Sequence, residues 1–110
     1  MPVIGNFQLA NGQAAYGGGT ATDGPAAVNV GLGFVPRYVK VLSFVAAGAV
    51  ITEFVLGHAT NQGIQSGAAP LAANGITVGT VTIGDQQVEG FTIGTACLTA
   101  NTDYMWIALG

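Results

Sequence analysis

The sequence predicts an all-β protein: a single-domain antiparallel β-sandwich or barrel, jelly-roll-like, that spans residues 1–110 and contains about eight short strands. Three observations predict this fold class. Val, Ile, Thr and aromatic residues, which favour strands, recur in short runs. Gly, Pro, Asn and Asp separate those runs at regular intervals. The 18 glycines also interrupt most stretches long enough for a helix, where each glycine costs about 1 kcal/mol relative to alanine.

Eight segments carry the strand pattern. Asn-Gly between alternating runs favours a hairpin, because both central residues of the turn need positive φ. The predicted strands are Val3–Leu9, Gln13–Tyr16, Ala26–Val30, Tyr38–Val45, Ala49–Leu56, Ile76–Ile83, Gln87–Ile93 and Asp103–Leu109. The predicted turns are Asn11-Gly12, Gly17-Gly18-Gly19, Asp23-Gly24-Pro25, Gly31–Pro36, Asn74-Gly75 and Gly84-Asp85. Gly57–Ala73 fits neither pattern and is predicted to be a long surface loop or to hold one short helical turn.

Several predicted strands are apolar on both faces. In Tyr38–Val45, Val39 and Val41 lie on one face, while Leu42 and Phe44 lie on the other. A sheet with one solvated face alternates apolar with polar residues instead. A chain of this length has little material for a third layer, so we expect a neighbouring subunit to cover the second face. Few charges guard these strands against edge-to-edge pairing, which also favours an oligomer.

The charge content excludes tight binding to nucleic acid. The chain carries two basic and five acidic residues, and its net charge is −3. Charged residues make up 6% of the sequence, against about a quarter in an average domain. Two cations neutralise too few phosphates for tight binding. Strand alternation places Arg37 and Lys40 on opposite faces, and at least one of them is predicted to form a salt bridge across an interface.

The titratable residues predict no catalytic, cofactor or metal site. His58 is the only histidine and Cys97 the only cysteine, whereas a metal site needs several ligands. Ser43 lies within a predicted strand and lacks the surroundings of a nucleophile elbow. Asp85 and Glu89 flank a turn; they fit solvated turn residues better than a glycosidase pair or a Ca²⁺ site. Cys97 fits a small buried residue. We therefore expect a protein that is not an enzyme and that uses no cofactor.

Two aromatic residues near the C-terminus leave three roles open. Tyr104 and Trp106 share one face of the last predicted strand. They could pack in the core, anchor a protein interface, where both residue types are enriched, or stack on a sugar ring.

The N-terminus and the hydropathy pattern predict no export or membrane segment. Met1–Asn6 lacks the positive and apolar regions of a signal peptide. The longest apolar run, Val41–Ile51, is shorter than the roughly 20 residues of a membrane helix. We expect a soluble protein made in a reducing cytoplasm, with neither membrane nor nucleic acid as partner.

One segment resembles a known group of proteins. Gly33–Val41 reads GFVPRYVKV and resembles a G-F-x-P-[RK]-x-V opening of small structural proteins of tailed bacteriophages. Gly75–Val78, Gly90–Gly94 and Trp106–Ala108 are similar to further segments of those proteins, in the same order. The resemblance implies a virion component, a capsid decoration (cement) protein that binds the outer capsid surface. Related openings in lectin-like modules of tail fibres imply an alternative, a carbohydrate-binding module of a tail appendage.

The expected partners follow from these two lines of reasoning. The protein should bind itself as a homo-oligomer, with a trimer as one expected form, and should bind the major capsid protein at the capsid surface. No catalytic, cofactor-binding or metal residue is predicted. The predicted interface residues are Phe34, Arg37, Tyr38, Lys40, Tyr104 and Trp106.

Overall fold

The computed structural model describes residues 13–45, 48–55, 62–65 and 71–110. These residues form eight β-strands and one short 3₁₀ helix, Thr95–Cys97. The strands are β1 Ala14–Thr20, β2 Val28–Gly31, β3 Tyr38–Val45, β4 Gly48–Val55, β5 Gln62–Gln65, β6 Leu71–Ile83, β7 Gln86–Ile93 and β8 Asp103–Leu109. The predicted all-β antiparallel fold is confirmed.

All eight strands belong to one sheet with the order β1-β8-β3-β4-β5-β6-β7-β2. Every neighbouring pair is antiparallel. The sheet curls into a half-barrel, so strands that are far apart in the sheet order face each other across its interior. β1 and β2 are the two ends of the sheet order and leave one side of the half-barrel open.

The core lies inside the curl and joins both halves of the sheet. Val39 and Val41 of β3, Ile76 of β6, and Phe91 and Ile93 of β7 are all fully buried. These β-branched and aromatic side chains alternate along their strands, which places them on one face. Their burial against one another is the main apolar contribution to the stability of the curled sheet.

The predicted strand boundaries agree best where one face is strongly apolar. Tyr38–Val45 and Asp103–Leu109 are confirmed at both ends. For Ala49–Leu56 the structure has Gly48–Val55, with Leu56 outside the described residues, and Gln87–Ile93 begins one residue earlier, at Gln86. The predicted strand Val3–Leu9 and the turn Asn11-Gly12 lie outside the described residues.

The prediction of a turn at Gly17-Gly18-Gly19 is wrong, because these glycines continue β1. Gly17 pairs with Trp106 of β8, and Gly19 pairs with Tyr104. A Cβ atom at Gly17 would lie 2.7 Å from Cζ2 of Trp106, and one at Gly19 would lie 3.0 Å from the Tyr104 hydroxyl oxygen. The glycines therefore make room for two large rings that lie over the strand.

The prediction of a turn at Asn74-Gly75 is also wrong, because both residues lie inside β6. Asn74 takes a left-handed conformation with φ of 59°, and the register between β5 and β6 shifts nearby. A Cβ atom at Gly75 would lie 2.5 Å from the carbonyl oxygen of Gln62. The pair thus forms an irregularity in a long strand where β5 approaches closely.

Part of the segment predicted to be a loop or a helical turn is a strand. β5 lies within Gly57–Ala73, and β6 begins before that segment ends. β5 has only four residues and a glutamine at each end, which hides the pattern of alternation. It links the two halves of the sheet through β4 and β6.

Candidate functional site

One broad surface and one groove are candidate functional sites. The surface is the side of β1, β8, β3, β4 and β5 that faces away from the core, called the outer face below. The register aligns one row of side chains across all five strands. The row reads Tyr16, Ile107, Lys40, Glu53 and Ile64. Two charges therefore lie side by side within an otherwise apolar row.

The neighbouring rows of the outer face are apolar as well. One holds Met105, Leu42 and Ile51, on β8, β3 and β4. The other holds Leu109, Tyr38 and Val55 on the same strands. The large side chains Tyr16, Phe44, Val55 and Ile64 have exposed fractions of 81%, 47%, 42% and 41%. Contiguous exposed apolar surface of this kind is typical of an interaction site.

The opposite half of the sheet has a polar outward row instead. Thr77 of β6, Thr92 of β7 and Asn29 of β2 are aligned across their strands. The Thr92 hydroxyl donates a hydrogen bond to Oδ1 of Asn29 at 2.8 Å, and the Asn29 side chain donates to the carbonyl of Thr82 at 3.0 Å. This half shows the ordinary polar face of a solvated sheet. The apolar character therefore belongs to the outer face.

The polar centre of the outer face is a tyrosine–carboxylate contact. The Tyr38 hydroxyl donates a hydrogen bond to the Glu53 carboxylate. Burial raises the pKa of Tyr38 to about 12, with further contributions from that hydrogen bond and from the charge of Glu53. Both effects penalise the phenolate, since burial disfavours a charge and Glu53 repels a second anion. Tyr38 is therefore a neutral hydrogen-bond donor at physiological pH.

The two cations have no carboxylate partner in the described part of the chain. Lys40 lies directly opposite Glu53 in the β3–β4 register, yet neither Lys40 nor Arg37 lies within 4.0 Å of a carboxylate oxygen among those residues. Lys40 is half-buried, and Arg37 is exposed. The interface salt bridge expected for at least one of them stays a prediction.

The second candidate is a groove at the open side of the half-barrel, called the edge groove below. It has a volume of about 530 Å³, and residues of β1, β2 and β8 line it together with the β6–β7 hairpin. The lining residues are Gly18, Val28, Asn29, Val30, Gly31, Leu32, Gly33, Ile83, Gln86, Val88, Tyr104 and Trp106. None of them carries a charge. Its volume falls within the range of small-molecule sites, about 300–1,000 Å³.

Two aromatic rings form one wall of the edge groove. Trp106 packs edge-to-face against Phe91 of β7, with ring centroids 5.2 Å apart and planes at 78°. Gly17 and Gly19 leave the space that Trp106 and Tyr104 occupy. Both aromatic residues pack against the core and remain partly exposed. The rings are therefore held in fixed positions by the fold and still reach the groove.

The polar groups of this wall have no partner in the described residues. The Tyr104 hydroxyl, the Trp106 indole N–H and the Gln86 side-chain amide form no hydrogen bond there. None of these three groups is fully buried while lacking a partner. Among the described residues, that condition is met by Ser43 Oγ. These groups are thus available to water or to a ligand.

The predicted interface residues do not lie on one surface. Tyr38 and Lys40 lie on the outer face, whereas Tyr104 and Trp106 point inward and line the edge groove. Alternation along β8 separates the two sets, because its odd-numbered residues face outward. Sequence reasoning missed Tyr16, which is the most exposed large apolar residue described. Its partner strand could not be deduced from the local sequence.

Phe34 and Arg37 lie in the connection between β2 and β3. Phe34 is half-buried beside Gly110, where a Cβ atom would lie 2.7 Å from Cδ2 of the Phe34 ring. The backbone N–H of Arg37 donates to the carbonyl of Leu109 at 2.8 Å. Both residues therefore help to seat the C-terminal end of β8, and their interface role stays a prediction.

The nucleophilic and acidic side chains are dispersed. Cys97 is buried, and burial raises the pKa of its thiol, which keeps it protonated and a poor nucleophile. Ser43 is buried on the core side of β3. Asp85 lies in the β6–β7 turn, while Glu89 lies opposite Thr80 on β7. The described residues contain no cluster of three potential metal ligands. His58 lies outside them.

Comparisons with family models, curated proteins and solved structures found no match to this chain. Within the residues that the structure describes, no helix has the length and apolar character required for a bilayer crossing.

Proposed function

We propose that the protein is a non-catalytic structural subunit that assembles with copies of itself through the outer face. The observation that carries the proposal is the set of aligned outward rows: the central row spans β1, β8, β3, β4 and β5, and an apolar row lies on each side of it across β8, β3 and β4. In these rows Tyr16, Val55 and Ile64 are 81%, 42% and 41% exposed in the single chain, and the remaining large apolar side chains are half-buried. Burying one such side chain contributes about 1.5–3 kcal/mol, so a partner that covers several of them gains substantial binding free energy.

The charges of the outer face favour a second copy as the occupant. Lys40 and Glu53 lie side by side in the central row, so the face carries one charge of each sign. In a two-fold contact the same patch meets itself. Lys40 can then pair with the partner subunit's Glu53 while the apolar rows pack against each other. A partner with a large net charge of one sign would not be matched by this pair of opposite charges.

The size of the outer face is adequate for a stable contact. Strands lie about 4.8 Å apart and rise about 3.3 Å per residue. Five strands with a central strand of eight residues therefore form a face of roughly 24 by 26 Å. The accessible area of such a side-chain surface exceeds this projected area. It approaches the roughly 800 Å² per partner of a standard interface.

We further propose that the assembled subunits decorate the outer surface of a bacteriophage capsid and bind its major capsid protein. The support is the resemblance of Gly33–Val41 to small phage structural proteins, together with the exposed apolar side chains of the outer face. Capsid decoration needs buried contact area repeated over many copies, which act together by avidity. It needs no catalytic chemistry.

Two mutations test assembly through the outer face. Phe44→Glu and Ile64→Glu place a charge on exposed apolar positions, so the fold should be retained. Each should weaken self-association by at least about tenfold, because an interfacial carboxylate loses its hydration without a partner. Light scattering after size-exclusion chromatography measures the oligomer. Val35→Glu is the matched control, since Val35 is 42% exposed and lies in the connection between β2 and β3, outside the strands of the outer face.

A native protein that stays monomeric at high concentration would refute assembly through this face. The capsid role has its own test, in which particles with and without the protein are heated and genome release is measured. Particles that carry the protein should rupture at a higher temperature. Equal rupture temperatures would refute the stabilising role and leave self-assembly standing.

A further inference from the structure

We infer that the edge groove is a binding site for a neutral saccharide, with Trp106 and Tyr104 as the ring platform. This inference does not depend on the outer face, because the two surfaces lie on opposite sides of β8. Four observations carry it: the absence of charge in the lining, the aromatic wall, its unpartnered polar groups, and the direction of the two edge strands.

The lining selects an uncharged ligand. None of the residues that form the groove carries a charge, so a phosphate, a carboxylate or a cation would lose hydration there without compensation. A saccharide ring is neutral, with one apolar C–H face and a rim of hydroxyls. The groove offers apolar walls, from Val28, Val30 and Val88, beside aromatic rings with polar tips.

The polar groups of the groove match the rim of such a ligand. The Tyr104 hydroxyl can donate and accept, the Trp106 indole N–H can donate, and the Gln86 amide can do both. All three lack a hydrogen-bond partner among the described residues. A sugar hydroxyl can accept from one of these groups and donate to another. Few polar groups within a largely apolar lining are typical of a small-molecule site.

The rings are positioned before any ligand binds. Phe91 contacts Trp106 edge-to-face at 5.2 Å, and Gly17 and Gly19 leave no side chain of their own between the rings and β1. A preorganised platform loses little conformational entropy on binding. The arrangement thus accounts for Gly17 and Gly19, which an ordinary edge strand does not need.

The sheet topology argues against a single added strand as the occupant. Eight strands with antiparallel neighbours alternate in direction, so β1 and β2 run antiparallel to each other across the groove. One strand placed between them would be antiparallel to one edge and parallel to the other. A peptide in this position would therefore lose the uniform antiparallel pairing of the sheet.

Fluorescence provides a direct test, because Trp106 is the only tryptophan in the chain. The full chain is titrated with neutral tetrasaccharides of glucose, galactose, mannose and N-acetylglucosamine, and with a galacturonic acid tetramer as the anionic probe. At least one neutral probe should change the emission saturably, and the anionic probe should bind more weakly. No saturable change with any neutral probe would overturn the inference.

Two variants and a control assign the binding to the groove. Gln86→Ala and Tyr104→Phe each remove one polar group while the fold and the aromatic rings are kept, and each should weaken binding about fivefold. Gln87→Ala changes the adjacent exposed residue, which does not line the groove, and should bind like the native protein. Equal affinity of all four proteins would overturn the inference. An emission change that follows the protein concentration and not the added saccharide would also overturn the inference, since a second copy would then occupy the groove.

Discussion

Glycine positions the two aromatic rings of β8. Gly17 and Gly19 lie opposite Trp106 and Tyr104, and a Cβ atom at either position would meet a ring within about 3 Å. A ring that covers a cross-strand glycine shields its backbone from water and restores packing that the missing side chain cannot supply. The position of Trp106 therefore depends on the lack of a side chain at Gly17 as well as on its contact with Phe91.

Replacing Gly17 by alanine should destabilise the fold. The added methyl group would lie 2.7 Å from the indole ring, so Trp106 must move, at a cost of about 1–3 kcal/mol that is typical of overpacking. Urea unfolding followed by Trp106 fluorescence measures the change. Gly24→Ala is the control, because a Cβ atom there meets nothing within 4 Å. Equal stability of the two variants would contradict the proposed role of Gly17.

The Tyr38–Glu53 contact predicts a loss of stability at alkaline pH. The pKa of Tyr38 is raised to about 12 in the folded chain, above an unfolded value of about 10. The resulting stabilisation is complete below about pH 10 and is lost as the pH rises through about 12, because the unfolded state releases the proton first. Phenolate absorbance should show a late transition from Tyr38.

Two variants identify that tyrosine. Glu53→Gln should lower the pKa of Tyr38, since it removes the carboxylate charge and weakens the hydrogen bond, while the effect of burial remains. Tyr38→Phe should abolish the late transition. A late transition that persists in Tyr38→Phe would assign it to another tyrosine.

At the scale of single elements, runs of large β-branched and aromatic residues made strands predictable, and segments rich in glycine or glutamine did not. β3 and β8 carry large apolar side chains on both faces, and their boundaries follow from the sequence. β5 is short and bounded by glutamines, and β1 continues through three glycines. β1 is stabilised by its pairing with β8, and β5 by its pairing with β6. Such long-range pairing overrides local propensity, so local turn signals were misleading here.

The close approach of β5 to β6 should depend on Gly75. A Cβ atom there would lie 2.5 Å from the Gln62 carbonyl oxygen, so Gly75→Ala should separate the two strands locally. Amide hydrogen exchange should accelerate in β5 while β3 and β8 keep their protection. Ala73→Ser alters an exposed position of the same strand and should leave exchange unchanged. Unchanged protection of β5 in Gly75→Ala would show that the contact is readily relaxed.

At the scale of the whole molecule, one curled sheet carries apolar side chains on both sides of one half. Its inner side forms the core with Val39 and Phe91, and its outer side exposes the rows around Lys40 and Glu53. The sequence predicted two-sided apolar strands, because alternation can be read locally. The sequence alone could not assign Tyr38 and Trp106 to different surfaces, because that assignment required the β3–β8 register.

Exchange of the two charges tests the geometry of self-assembly. Lys40→Glu and Glu53→Lys each leave two like charges side by side in the central row, so each single variant should associate more weakly than the native chain. The double variant restores one charge of each sign and should recover most of the association, because a two-fold contact again pairs opposite charges. Sedimentation velocity over a concentration series measures the self-association of all four proteins. Loss of association in the double variant as severe as in the single variants would mean that the row does not meet itself, and a contact between different patches of the two copies would have to replace it.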